Sequence, residues 1–213
     1  MLPAANKIGL LAAGERGYSD EQTKKDGRKR TMLSNELIVN VATFMQSVGS
    51  AYGKQLQVLF APEAIPMRLK HIMDKLEIYR YVSYDAEKDL YTFMGCGEDN
   101  AMLAKDKLLA LWPIVSMEST RINEVIPMNG TTQFMVIASD NSCYDFTVIH
   151  SEQDARTAAM RWKMNMWDGI HDDVIHTAII FRESDMALCK GTQFDYCCIL
   201  NARTGDCNYV EMQ

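Results

Sequence analysis

The chain has 213 residues, 47% of them hydrophobic and 23% charged. This suits one or two globular domains with a substantial core, and no apolar run approaches the roughly 18 residues of a membrane span. The formal net charge is −6, unevenly spread. Residues 1–94 carry 13 basic against 11 acidic side chains, and residues 95–213 carry 9 against 17. Only the first part has the balance for a polyanionic partner.

The apolar patch from Ile8 to Ala13 is too short, and too soon followed by Glu15 and Arg16, for a signal peptide. The expected location is the cytoplasm. Residues 14–31 are polar and charged and read as a mobile arm, with Lys24, Lys25, Arg28, Lys29 and Arg30 as its basic run. Ser34 is a candidate cap for a helix whose apolar stripe is Leu37, Ile38, Val41, Ala42, Met45 and Val48, ending near Gly49. Leu56 to Phe60 fits either helix or strand.

Pro62 and Glu63 suit the start of a second helix, with Pro66 tolerated in its first turn. Its buried stripe is Ile65, Leu69, Ile72, Met73 and Leu76. Arg68, Lys70, His71 and Lys75 fall off that stripe and face outward, as do Asp74 and Glu77. Tyr79, Tyr81, Val82 and Tyr84 favour a strand, Asp85 to Asp89 a turn, and Leu90 to Phe93 a return strand. Tyr79, Tyr81, Tyr84 and Tyr91 read as packing residues of that hairpin. A helix followed by a β-hairpin, with another helix upstream, is the outline of a winged helix-turn-helix, a shape that presents a helix to the DNA major groove.

A boundary is expected near residues 95–100. Beyond it, Asn100 to Trp112 reads as a helix stopped by Pro113, and Ile122 to Ile126 as a short strand. Thr132 to Ala138 and Cys143 to His150 read as strands around the turn Ser139 to Ser142. Glu152 to Trp167 reads as a helix and Val174 to Phe181 as a strand. Phe194 to Leu200 and Asn208 to Glu211 form a hairpin turned by Arg203 to Asp206. No internal repeat or low-complexity segment is present. The expected fold is α+β: a mobile basic arm over 1–31, a winged helix-turn-helix over 32–97 and a mixed α/β domain over 98–213.

Six cysteines form no CxxC pattern, so buried reduced thiols are expected rather than disulfides or zinc ligands. Fifteen methionines point to adaptable packing or a Met-lined interaction surface. Asp140, Asp145 and Glu152 surround the first hairpin of the second domain and form the acidic candidate for a divalent metal. His171, Asp172, Asp173 and His176 form a second dense cluster. The five-residue spacing of its histidines suits neither one helix face nor one strand face. No phosphate-cradling glycine loop and no G-x-S-x-G elbow is present. No cofactor is expected.

The order α-β-β-β-α-β of the second domain is similar to the restriction-endonuclease-like core, in which carboxylates on neighbouring strands hold a metal and a lysine assists attack by water. Here the second strand of that hairpin, Tyr144 to His150, lacks the Glu-x-Lys, which implies a degenerate site. Over about residues 32–181 the element order resembles the replication-relaxation type of protein of bacterial plasmids and conjugative elements. That resemblance implies a non-catalytic, DNA-binding accessory or regulatory protein of a mobile element. Its contacts with double-stranded DNA would be Arg68, Lys70, His71 and Lys75 on the helix and Lys88 at the wing, with Lys24, Lys25, Arg28, Lys29 and Arg30 on the arm. The acidic domain would bind a protein partner or form a homodimer. The alternatives are a metal-dependent nuclease using Asp140, Asp145 and Glu152, and a protein-interaction module.

Overall fold

The computed structural model describes residues 26–61, 63–95, 101–117, 122–163 and 174–212. Helix α1 spans Asp26–Val48, starting well ahead of Ser34. Lys24 and Lys25 therefore lie outside the described residues, while Arg28, Lys29 and Arg30 stand in its first turns. The stripe Leu37, Val41, Phe44, Met45 and Val48 is buried. Gly49 ends the helix in the left-handed region (φ 81°), which lets its N–H reach the Met45 carbonyl at 2.9 Å.

A short strand β1 (Ser50–Tyr52) leads into α2 (Gly53–Leu59). The ambiguous run Leu56 to Phe60 is mostly helix. Leu56, Leu59 and Phe60 recur at helical spacing and are buried, and the Gln55 side chain accepts the Tyr52 N–H at 2.9 Å, capping the first turn. Helix α3 spans Pro66–Ile78, later than the expected start at Pro62. The residue before a proline is pushed to extended backbone, so Ile65 (φ −65°, ψ 152°) is the cap and Pro66 the first helical residue. Strands β2 (Val82–Asp85) and β3 (Leu90–Phe93) form the expected hairpin, and β1 pairs with β3. The result is a three-stranded antiparallel sheet of order β1-β3-β2.

Helix α4 (Ala101–Ser116) runs through Pro113 instead of stopping there. An internal proline costs roughly 3 kcal/mol. Leu111, Trp112 and Ile114 are buried on either side of it, and each large apolar side chain so buried contributes about 1.5–3 kcal/mol, which outweighs the break. Strands β4 (Ile122–Pro127), β5 (Phe134–Ala138) and β6 (Cys143–Val148) then form an antiparallel meander. Helix α5 (Glu152–Lys163) crosses over to β7 (Val174–Ile180), parallel to β6. A 3₁₀ segment, Glu183–Cys189, crosses to β8 (Tyr196–Leu200), parallel to β7, and β9 (Cys207–Glu211) returns antiparallel. The six strands lie in sequence order. One face packs on α4 through Phe134, Val136, Phe146, Val148, Ile179, Cys198 and Leu200. The other packs on α5 and the 3₁₀ segment through Ala178, Ile180 and Cys197. The fold is mixed α+β.

The expected boundary near residues 95–100 does not separate two cores. The larger apolar cluster continues from α1, α2 and α3 through α4 onto the six-stranded sheet. Gln55 donates to the Leu108 carbonyl at 3.0 Å, and Lys107 donates to the Ser47 carbonyl at 2.7 Å and to Asn129 at 3.1 Å. Trp112 stacks on Tyr52 with ring centres 5.5 Å apart. Among the described residues no helix is long and apolar enough to cross a membrane.

Candidate nucleic-acid interface and a buried acid–histidine pair

Helix α3 buries Leu69, Ile72, Met73 and Leu76. At about 100° per residue, the line diametrically opposite is Met67, His71, Asp74 and Ile78. All four are exposed, Met67 at 79% and Ile78 at 77%. Arg68 and Lys75 occupy one shoulder of this crest; Lys70 and Glu77 occupy the other. Arg68 and Lys70 are exposed and Lys75 is half-buried. None of these charged side chains forms an ion pair among the described residues. The four expected contact residues thus do not form one basic patch: Arg68 and Lys75 lie on one shoulder, Lys70 lies beside Glu77 on the other, and the crest between them carries His71 and Asp74.

The wing tip has a different character. Lys88 lies 2.8 Å from Asp85, and each holds the other in its charged form, lowering the Asp85 pKa and raising that of Lys88. Glu87 and Asp89 share the turn, so it is acidic on balance. Tyr84 donates to Asp89 at 3.1 Å and stacks on buried Tyr91 with ring centres 4.4 Å apart. Burial raises the Tyr91 hydroxyl to about 12. The expectation that the four tyrosines pack the hairpin holds for that pair. Tyr79 and Tyr81 precede β2 and are 72% and 55% exposed.

The acidic trio is dispersed. Asp140 sits in the β5–β6 turn, where it accepts the Ser142 N–H at 2.9 Å. Glu152 begins α5 and pairs with Arg156 at 2.6 Å. Asp145 lies inside β6, fully buried. No group of three or more His, Cys, Asp or Glu side chains that could hold a metal occurs among the described residues. Two residues after Asp145, where the nuclease pattern has lysine, stands buried Thr147, hydrogen-bonded to Thr132 at 3.3 Å. His171, Asp172 and Asp173 lie outside the described residues.

The parallel register instead sets Asp145 beside His176 of β7, both on the face covered by α5. Oδ2 of Asp145 and Nδ1 of His176 are 2.8 Å apart. The Trp162 ring lies flat on the imidazole, ring centres 3.7 Å apart, and Phe194 abuts Trp162 edge-on at 4.8 Å. Burial pushes the Asp145 carboxyl above its ordinary range, and its hydrogen bond to His176 opposes that rise without cancelling it. Among the described residues Asp145 Oδ1 and Trp162 Nε1 make no close, well-aligned hydrogen bond, although the indole and the Thr177 N–H both favour the ionised carboxyl. Asp195 accepts the backbone N–H of His176 at 2.7 Å and fixes the strand beneath the ring. At the opposite end of the parallel strands His150 meets Asp106 at 2.9 Å and stacks on Phe181. Both pairs escape a sequence reading. The one available signal is a charged residue inside an otherwise apolar strand, which Asp145 provides.

Of the thiols expected to be buried, Cys143, Cys189, Cys197 and Cys198 are buried and free, Cys207 is half-buried, and Cys96 lies outside the described residues. Burial raises the Cys143 thiol to about 11. Compared with protein-family models, curated proteins and solved structures, the chain gives no significant match to any of them.

Proposed function

We propose that this chain binds duplex DNA through α3, as a winged-helix accessory protein of a bacterial mobile element such as a plasmid, and does not itself cleave DNA. The observation that carries the reading is the order α1-β1-α2-α3-β2-β3 with its sheet order β1-β3-β2. A winged helix is built this way, and α3 is then the helix offered to the major groove. The charge order on α3 supports the same conclusion. A groove about 12 Å wide has a phosphate wall on each side. Cations on both shoulders, Arg68 and Lys75 against Lys70, meet those walls, with Glu77 opposing beside Lys70, and the crest faces the base edges.

The second unit has the order α4-β4-β5-β6-α5-β7 of an endonuclease-like core, with Asp145 tied to His176 and Thr147 in place of the lysine. This supports a core kept for shape and for a protein or dimer contact. A DNA-bound role in a bacterium implies the cytoplasm, where free thiols persist.

Arg68→Ala combined with Lys70→Ala is the direct test. Two phosphate contacts removed should weaken binding similarly on unrelated duplexes and reduce the salt slope of log K by about 2. Unchanged affinity in the double variant would remove α3 as the binding element. A second reading, docking on a protein, is favoured by the exposed Ile65, Met67, Ile78, Tyr79, Tyr81 and Met94 around α3. It predicts binding that is insensitive to salt.

A further inference from the structure

Asp74 has no evident place in a helix meant to approach phosphate. It stands on the crest of α3, one turn beyond His71, exposed and without an ion pair or hydrogen bond among the described residues. It makes no contribution to the core formed by Leu69, Ile72, Met73 and Leu76. A carboxylate carried into the groove is repelled by both phosphate walls unless it meets a hydrogen-bond donor. Base edges in the major groove offer two such donors, the cytosine N4 and adenine N6 amino groups. Adenine N6 is flanked by the acceptor N7, which repels the second carboxylate oxygen. Within the cytosine ring, N4 is flanked in the groove by a carbon, which does not. We infer that Asp74 is a specificity-determining residue that accepts a hydrogen bond from cytosine N4, with His71 facing the adjoining base pair.

This inference rests on α3 being the groove helix, and its signature differs from that of a phosphate contact. Loss of Asp74 removes repulsion, so affinity for arbitrary duplexes rises while discrimination at one position falls. Asparagine at the same place presents one donor and one acceptor, the complement of adenine N6 and N7. Asp74→Asn should therefore move the preference at that position from cytosine to adenine, and Asp74→Ala should abolish it. The expected change is about tenfold in relative affinity.

The experiment is selection of bound duplexes from a randomised pool by the full chain and by each variant, with thermal unfolding confirming that this exposed substitution leaves the fold unchanged. Enrichment of cytosine at one position by the parent chain, adenine there by Asp74→Asn and no preference there by Asp74→Ala supports the inference. The same enrichment in all three proteins, or salt-dependent binding without any enrichment, overturns it and leaves the DNA reading standing. A pool recovered by none of them even at low salt overturns both.

Discussion

Replacing His176 with alanine is expected to cost about 3–5 kcal/mol of stability where Asp145 is ionised, because it removes the 2.8 Å hydrogen bond to this fully buried carboxylate. The loss has a definite pH dependence. Burial already holds the folded Asp145 above its ordinary value, so between the two values the native state binds more protons than the unfolded chain. Stability from this group is therefore complete below the ordinary carboxylate value and falls as pH rises through the folded one. Without His176 the folded value rises further. The deficit of the variant relative to the parent should thus be largest above the folded Asp145 value and shrink as acidification protonates the carboxyl. Urea unfolding followed from neutral to acidic pH measures it. Asp145→Asn removes the charge and keeps an acceptor for the imidazole, so it should cost only about 1–2 kcal/mol. A deficit in His176→Ala that grows on acidification would mean that Asp145 is not the group left stranded.

Trp112→Ala should cost a comparable amount, about 3–5 kcal/mol. The indole lies where three parts of the chain meet. Tyr52 of the first sheet stacks on it, Lys54 sits over it at 5.8 Å, and the β8–β9 turn brings Gly205 against the ring. A Cβ at Gly205 would collide with that ring, and the glycine's φ of 78° is one that other residues rarely adopt. Gly205→Ala should therefore destabilise by roughly 1–3 kcal/mol although it adds a single methyl group to a surface turn. Because the core is continuous from α1 to the six-stranded sheet, both substitutions should lower one shared thermal transition followed by circular dichroism. A variant in which the sheet melts while the first unit keeps its original midpoint would contradict that continuity.

The parts of the fold that could be read in advance are those whose signal is local. The spacing of Leu69, Ile72, Met73 and Leu76 marks α3, and the turn Asp85 to Asp89 marks the hairpin beyond it. The three-residue strand β1 has no period to detect, yet it is what completes the small sheet. Pro113 reads as a stop because the proline penalty is local, while the burial that overcomes it depends on a sheet formed later in the chain. The pairing of Asp145 with His176 spans 31 residues and follows only from the parallel register set by α5. Asp74 was visible, but counting charges on the outer face treats it as a defect. Resolving that face into a crest and two shoulders gives the carboxylate a distinct position.

Titration of the full chain with duplex DNA across about 50 to 200 mM salt tests most directly whether α3 meets the phosphate walls. Arg68, Lys70 and Lys75 neutralising three phosphates predict that log K falls with log salt at a slope of about −3. No binding at about 50 mM salt, or binding whose strength does not change with salt, would contradict it.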